Sequence, residues 1–114
     1  MRLAAIRDLL KCDVLVGGDD LDAELDTAAA SDAMSAVLAS PRPRALMITG
    51  LANIQSVRTA QVAFISAIVY VRDTRPNEAA IALARERKIV LLATELGMFD
   101  SCGLLYAQGI KGAT

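Results

Sequence analysis

A chain of 114 residues fits one domain, and 54% hydrophobic against 22% charged residues gives it a core to bury rather than a disordered composition. Twelve basic and thirteen acidic side chains leave a net charge of −1, which excludes the basic footprint of a nucleic-acid binder and gives little protection against self-association. Two Cys, no His and no Trp exclude the usual structural zinc sets, and the Ala, Val, Ile and Leu content favours layered helix–sheet packing over an aromatic stacking face.

Leu3, Ile6, Leu9 and Leu10 recur at helical spacing, so residues 2–11 form an amphipathic helix with no signal-peptide core. Val14-Leu15-Val16 then reads as a strand closed by a Gly17-Gly18 turn. Five carboxylates follow in residues 19–26. A calcium loop starting at Asp20 needs Gly at its sixth position and Glu at its twelfth, where Leu25 and Ser31 stand. The carboxylates instead alternate with Leu21, Ala23 and Leu25, a solvated acidic face with period two. No metal site and no cofactor are expected.

Leu25 to Ala30 is a strand of small residues, and Ser31-Asp32 opens a helix through about Leu38 with Met34, Val37 and Leu38 as its buried stripe. The two prolines in Ala39-Ser40-Pro41-Arg42-Pro43-Arg44 make a stiff exposed connection. Next comes an apolar strand, 45–49, with its turn at Gly50-Leu51-Ala52-Asn53. A helix from Asn53 to Ser66 then carries Ile54, Val57, Gln61, Phe64 and Ile65 on one face. A fourth strand covers 67–71, Asn77 caps a helix running to Lys88, and Ile89-Val90-Leu91-Leu92 is the last strand, ending at Ala93-Thr94. A final helix from about Leu96 to Gln108 packs through Met98, Cys102 and Leu105 and stops at Gly109. The strands from residue 45 onward are continuously apolar and alternate with helices. The fold class is therefore α/β: a single layered domain, residues 1–114, with a mostly parallel sheet flanked by helices. No apolar run approaches the about 18 residues a membrane span needs, and unpaired Cys12 and Cys102 in apolar segments suit a reducing compartment, so a cytoplasmic protein without membrane attachment is expected.

Ligands of open α/β sheets gather beyond the carboxyl ends of the strands. Three polar clusters stand there: Ser31, Asp32 and Ser35; Thr49, Gly50 and Asn53; Thr94 and Glu95. Helix capping is the first reading of these side chains, and a grip on a phosphate or nucleotide edge the second. Catalysis by this chain alone is not expected. It has no His base, no Gly-x-Ser-x-Gly elbow, no phosphate-loop Lys and no Gly-x-Gly-x-x-Gly; its carboxylates lack an apolar pocket to split their pKa values; and Lys11 is weak activation for Cys12.

One string is more specific than these generic features: Ala28-Ala29-Ala30-Ser31-Asp32-x-x-Ser35-x-Val37-Leu38-Ala39. It follows Val14-Leu15-Val16-Gly17-Gly18 and precedes the strand ending in Thr49, the helix opened by Asn53, Arg75-Pro76-Asn77-Glu78, Phe99-x-x-x-Gly103-x-Leu105-Tyr106 and Gly109-Ile110. Over essentially its whole length the chain resembles the DRTGG domain. The Asp-Arg-Thr-Gly-Gly string that names the family is absent, with Leu25-Asp26-Thr27-Ala28 near where its glycines fall. Such domains occur in some phosphotransacetylases, beside CBS pairs in nucleotide-regulated pyrophosphatases and as short standalone proteins, and they resemble the N-terminal domain of HPr kinase. The resemblance implies a regulatory or assembly module, often self-associating, rather than a catalyst. The expectation is a homodimeric regulatory module sensing a small anionic or nucleotide-like ligand through Ser31, Asp32, Ser35, Thr49, Gly50, Asn53 and Thr94. A purely structural dimerisation domain and an accessory subunit of a partner enzyme are the alternatives.

Overall fold

Three strands whose sequences are apolar without alternation make the centre of the molecule. β3 (Leu46–Thr49), β4 (Ala67–Tyr70) and β5 (Val90–Ala93) are buried at every position, as parallel strands covered on both faces must be. They run parallel, with Leu46 opposite Ala67 and Ala67 opposite Val90. The computed structural model describes residues 1–39 and 43–113. Within them β1 (Asp13–Val16), β2 (Thr27–Ala30) and β6 (Lys111–Gly112) complete a six-stranded sheet in the order β1-β5-β4-β3-β2-β6. All its pairings are parallel except β1 against β5.

The two-residue period of the strands sorts the core into two layers. Met47, Ile68 and Leu91 face α2 (Met34–Ala39), α3 (Ile54–Val62) and α4 (Glu78–Arg87), whose Val37, Val57, Ala60, Ala80 and Ala84 pack against them. Ile48, Val69 and Leu92 face the opposite side. There α1 (Leu3–Leu10) contributes Leu3, Ile6 and Leu10, and α5 (Met98–Ala107) contributes Leu105. Burying a side chain of this size stabilises the fold by about 1.5–3 kcal/mol. Local chemistry sets the helix ends. Asn53 accepts from the Gln55 N–H and Asn77 from the Ala80 N–H, satisfying donors that the first turn leaves free. Lys88 ends α4 in a left-handed conformation, and Gly109, at φ 98°, follows α5.

Several expectations change. Over the acidic run Gly18–Asp20 forms a 3-10 turn, and the chain beyond it is tied to the start of α1 by the Arg2–Glu24 bridge and by the Leu3 and Ala4 N–H groups, which donate to the Ala23 and Leu21 carbonyls. Its five carboxylates are exposed while Leu25 is buried. α3 stops at Val62 rather than Ser66 because Phe64 turns left-handed (φ 57°) to lead the chain into β4. Phe64 is consequently 73% exposed and Gln61 is also outside; the inner face is Ser56, Val57, Thr59 and Ala60, small enough for close approach to the alanines of α4. Leu38 is exposed at the end of α2, so that stripe reduces to Met34 and Val37. The Ser40-Pro41-Arg42 part of the expected connection lies outside the described residues. Among those described, no helix is long and apolar enough to cross a membrane.

Candidate functional site

The sheet order sets the carboxyl ends of β5, β4, β3 and β2 side by side. This brings two of the three predicted clusters into contact. Asp32, just beyond β2, does not cap α2. Its carboxylate turns across to the end of β3, where one oxygen accepts from the Gly50 N–H at 2.6 Å and from the Thr49 hydroxyl at 3.1 Å. A short bond from a backbone N–H to a carboxylate is among the stronger hydrogen bonds. Thr49 in turn accepts from the Leu51 N–H at 3.1 Å, which fixes the turn after β3.

A residue that sequence reasoning missed completes this node. Arg72 is the second residue beyond β4, and its Nη2 lies 3.8 Å from the second Asp32 oxygen, both side chains about half exposed. A pair this long and wet leaves the guanidinium open to a further anion. Gly50 makes the arrangement sterically feasible: a Cβ there would collide with Arg72 Nη2 and stand 3.1 Å from its Cζ. Arg72 and Asp73 both hold left-handed φ values, 56° and 53°, which a bulky L-residue adopts only against a steric cost. The neighbouring strand end holds them there, with the Arg72 N–H donating to the Leu96 carbonyl and the Asp73 N–H to the Thr94 carbonyl, both at 2.8 Å. Asp73 does not compete for Arg72. Arg75 pairs with it at 2.8 Å and with Asp13 at 2.6 Å, and these carboxylates push the Arg75 pKa up.

The remaining predicted residues are placed differently. Ser31 accepts from the Ala33 N–H at 2.9 Å, a local turn next to Asp32. Ser35 is exposed on α2. Asn53 is the cap of α3 described above. Thr94 is 2% exposed and its hydroxyl donates to the Leu10 carbonyl at 2.7 Å, so it ties α1 to β5 and does not join the Asp32 node. Deeper, Ser56 gives its one hydroxyl proton to the Asn53 carbonyl, so the 2.7 Å contact with Tyr70 is a bond the phenol donates. Burial pushes that phenol pKa up. The cysteines are poor nucleophiles: burial, aided by Asp13, pushes Cys12 to about 11, and burial raises Cys102.

Beside the node, a groove of about 410 Å³ opens along the outer edge of β2. It meets the predicted set at Ser31 and has Ala30, Ala36, Tyr106 and Lys111 among its walls. Its size lies within the range of small-ligand sites.

No family model matches the chain, and no curated protein matches it. Among solved structures it is similar to the crystal structure of the CBS and DRTGG domains of the regulatory region of Clostridium perfringens pyrophosphatase, complexed with the activator diadenosine tetraphosphate. The TM-score is 0.66 at 14% identity, over 91% of this chain and 45% of that one. This chain thus spans less than half the length of that neighbour, and at this identity the likeness is one of fold. It agrees with the DRTGG-like reading of the sequence.

Proposed function

We propose that this chain is a regulatory ligand-sensing module whose site is the Asp32–Thr49–Gly50–Arg72 node, with Ser31 and Ser35 at its border, and whose ligand is anionic and nucleotide-like. The observation that carries the reading is the half-exposed Arg72 guanidinium, held over Gly50 where open α/β sheets take their ligands. Arg suits phosphate because its planar fork gives two parallel bonds to one anion. The fold neighbour's regulatory region, solved with a nucleotide activator, supports the same class. Asp32 then has a second role: it holds Arg72 while the site is empty, and an arriving anion competes for the cation.

Thermal shift and calorimetry with diadenosine tetraphosphate, ATP, AMP and acetyl phosphate test this. Ligand at about 100 times Kd stabilises the native state by about 2.7 kcal/mol, and Arg72→Ala is expected to remove that stabilisation while leaving the unliganded protein folded. If no compound raises stability at millimolar levels, the sensing function fails.

A structural reading is favoured by a different observation. Phe99 and Tyr106, seven residues apart on α5, are 77% and 64% exposed on one helix face. A homodimer burying that face needs no ligand, and sedimentation of a monomer at micromolar concentration contradicts it.

A further inference from the structure

We propose that the groove on the outer edge of β2 is a nucleobase subsite, read by the backbone of Ala30. β6 covers only the start of that edge, pairing with Thr27 and Ala28. The hydrogen bonds give the alternation: the Asp26 and Ala28 carbonyls accept from Lys111 and Ala113 on the β6 side, while the Ser31 N–H donates to Ile48 on the β3 side. Two residues beyond Ala28, the N–H and C=O of Ala30 therefore both point outward, past the last β6 bond, where Ala30 lines the groove. Ala30 is exposed and Ala28 to Ala30 are all small, so the backbone edge is reachable.

One donor beside one acceptor is a pattern that the Watson–Crick edge of each nucleobase presents. It is too short for an added peptide strand, whose affinity comes from a row of main-chain bonds. The walls suit a planar heterocycle: Val37, Ile48 and Leu105 are apolar, and Tyr106 offers an aromatic ring at the rim. Lys111 lies over that ring, its Nζ 4.8 Å from the centroid, and places one cation at the mouth. This subsite deepens the sensing proposal and rests on it for the anionic part of the ligand, since Ser31 lines the groove and directly precedes Asp32.

Adenosine, guanosine, cytidine and uridine, which carry no phosphate, separate the two proposals. Each is titrated into the full chain by amide NMR and calorimetry, with inorganic triphosphate as the anion alone. At least one nucleoside is expected to shift the Ala30 amide. Ala36→Leu, on the exposed side of α2 and in the groove wall, is expected to weaken it by about tenfold or more, and Arg72→Ala to leave it unchanged. Gly112→Val gives the same weakening if Ala36→Leu proves unstable, because a Cβ at Gly112 has no neighbour within 4 Å. Triphosphate perturbing Gly50 and Arg72 while no nucleoside reaches Ala30 overturns the base subsite and leaves the sensing function standing. Nucleoside binding that Ala36→Leu and Gly112→Val both leave unchanged overturns it as well. Silence from nucleosides, triphosphate and whole nucleotides alike overturns both.

Discussion

Thr49 and Thr94 both stand at the carboxyl end of a central parallel strand, Thr49 as the last residue of β3 and Thr94 one residue beyond β5, and both are almost fully buried. Each accepts a hydrogen bond from the N–H two residues on, Leu51 at 3.1 Å and Leu96 at 3.2 Å. Their own protons go to different partners. Thr94 donates to a buried main-chain carbonyl at the end of α1, whereas Thr49 donates to a carboxylate that is itself half in water and beside a cation. The same local turn serves as a structural tie at one strand and as the floor of a candidate site at another. What distinguishes them is the third group: a helix terminus arrives over β5, a half-exposed charged pair over β3.

The strongest test of this contrast is Thr94→Val. It leaves the Leu10 carbonyl buried without its donor and is expected to lower unfolding free energy by about 1–3 kcal/mol, read by urea denaturation, with ligand response intact. Thr49→Val removes a bond whose partner keeps Gly50 and water, so its stability cost is expected to be smaller, about 1 kcal/mol or less; its main effect is a weaker response to anionic ligands in the thermal-shift assay. Equal stability losses, or a ligand effect at Thr94, would dissolve the distinction. A further test concerns Cys12, near the same end of α1. An exposed thiol titrates near 9 and this one near 11, so the fold favours the neutral form. That contribution is complete below pH 9 and is lost as pH rises through 11. Stability is expected to be flat up to pH 9 and to decline above it, with Cys12→Ala flattening the decline in pH-dependent urea midpoints.

The centre of the fold was legible because its strands need no context: Leu46-Met47-Ile48, Ala67-Ile68-Val69 and Val90-Leu91-Leu92 are apolar at consecutive positions, and Asn53 and Asn77 announce the helices between them. The edges were less legible. β6 is two residues, Lys111 and Gly112, and two residues carry no period; it forms because Ile110 and Ala113 on either side are buried. Nothing in Val14-Leu15-Val16 states that β1 runs antiparallel to β5. The strand-end rule located Asp32, Thr49 and Gly50 but also collected Thr94, since Ser and Thr at a turn look alike whether they face a helix or a ligand. Arg72 stands in the polar stretch Arg72-Asp73-Thr74-Arg75-Pro76, which carries no motif of its own. The signal is its position, two residues beyond β4, and the same rule applied to that strand finds it.

The left-handed backbone at Arg72 sets stability and function against each other. An L-residue there carries a steric cost of about 1–2 kcal/mol, which glycine escapes at an entropic penalty of about 0.5–1 kcal/mol. Arg72→Gly is therefore expected to yield a protein as stable as the parent or slightly more so by thermal melting, and deaf to anions. Selection for heat resistance alone would drift toward that silent form, so thermostability is a misleading proxy for fitness when variants of this chain are screened.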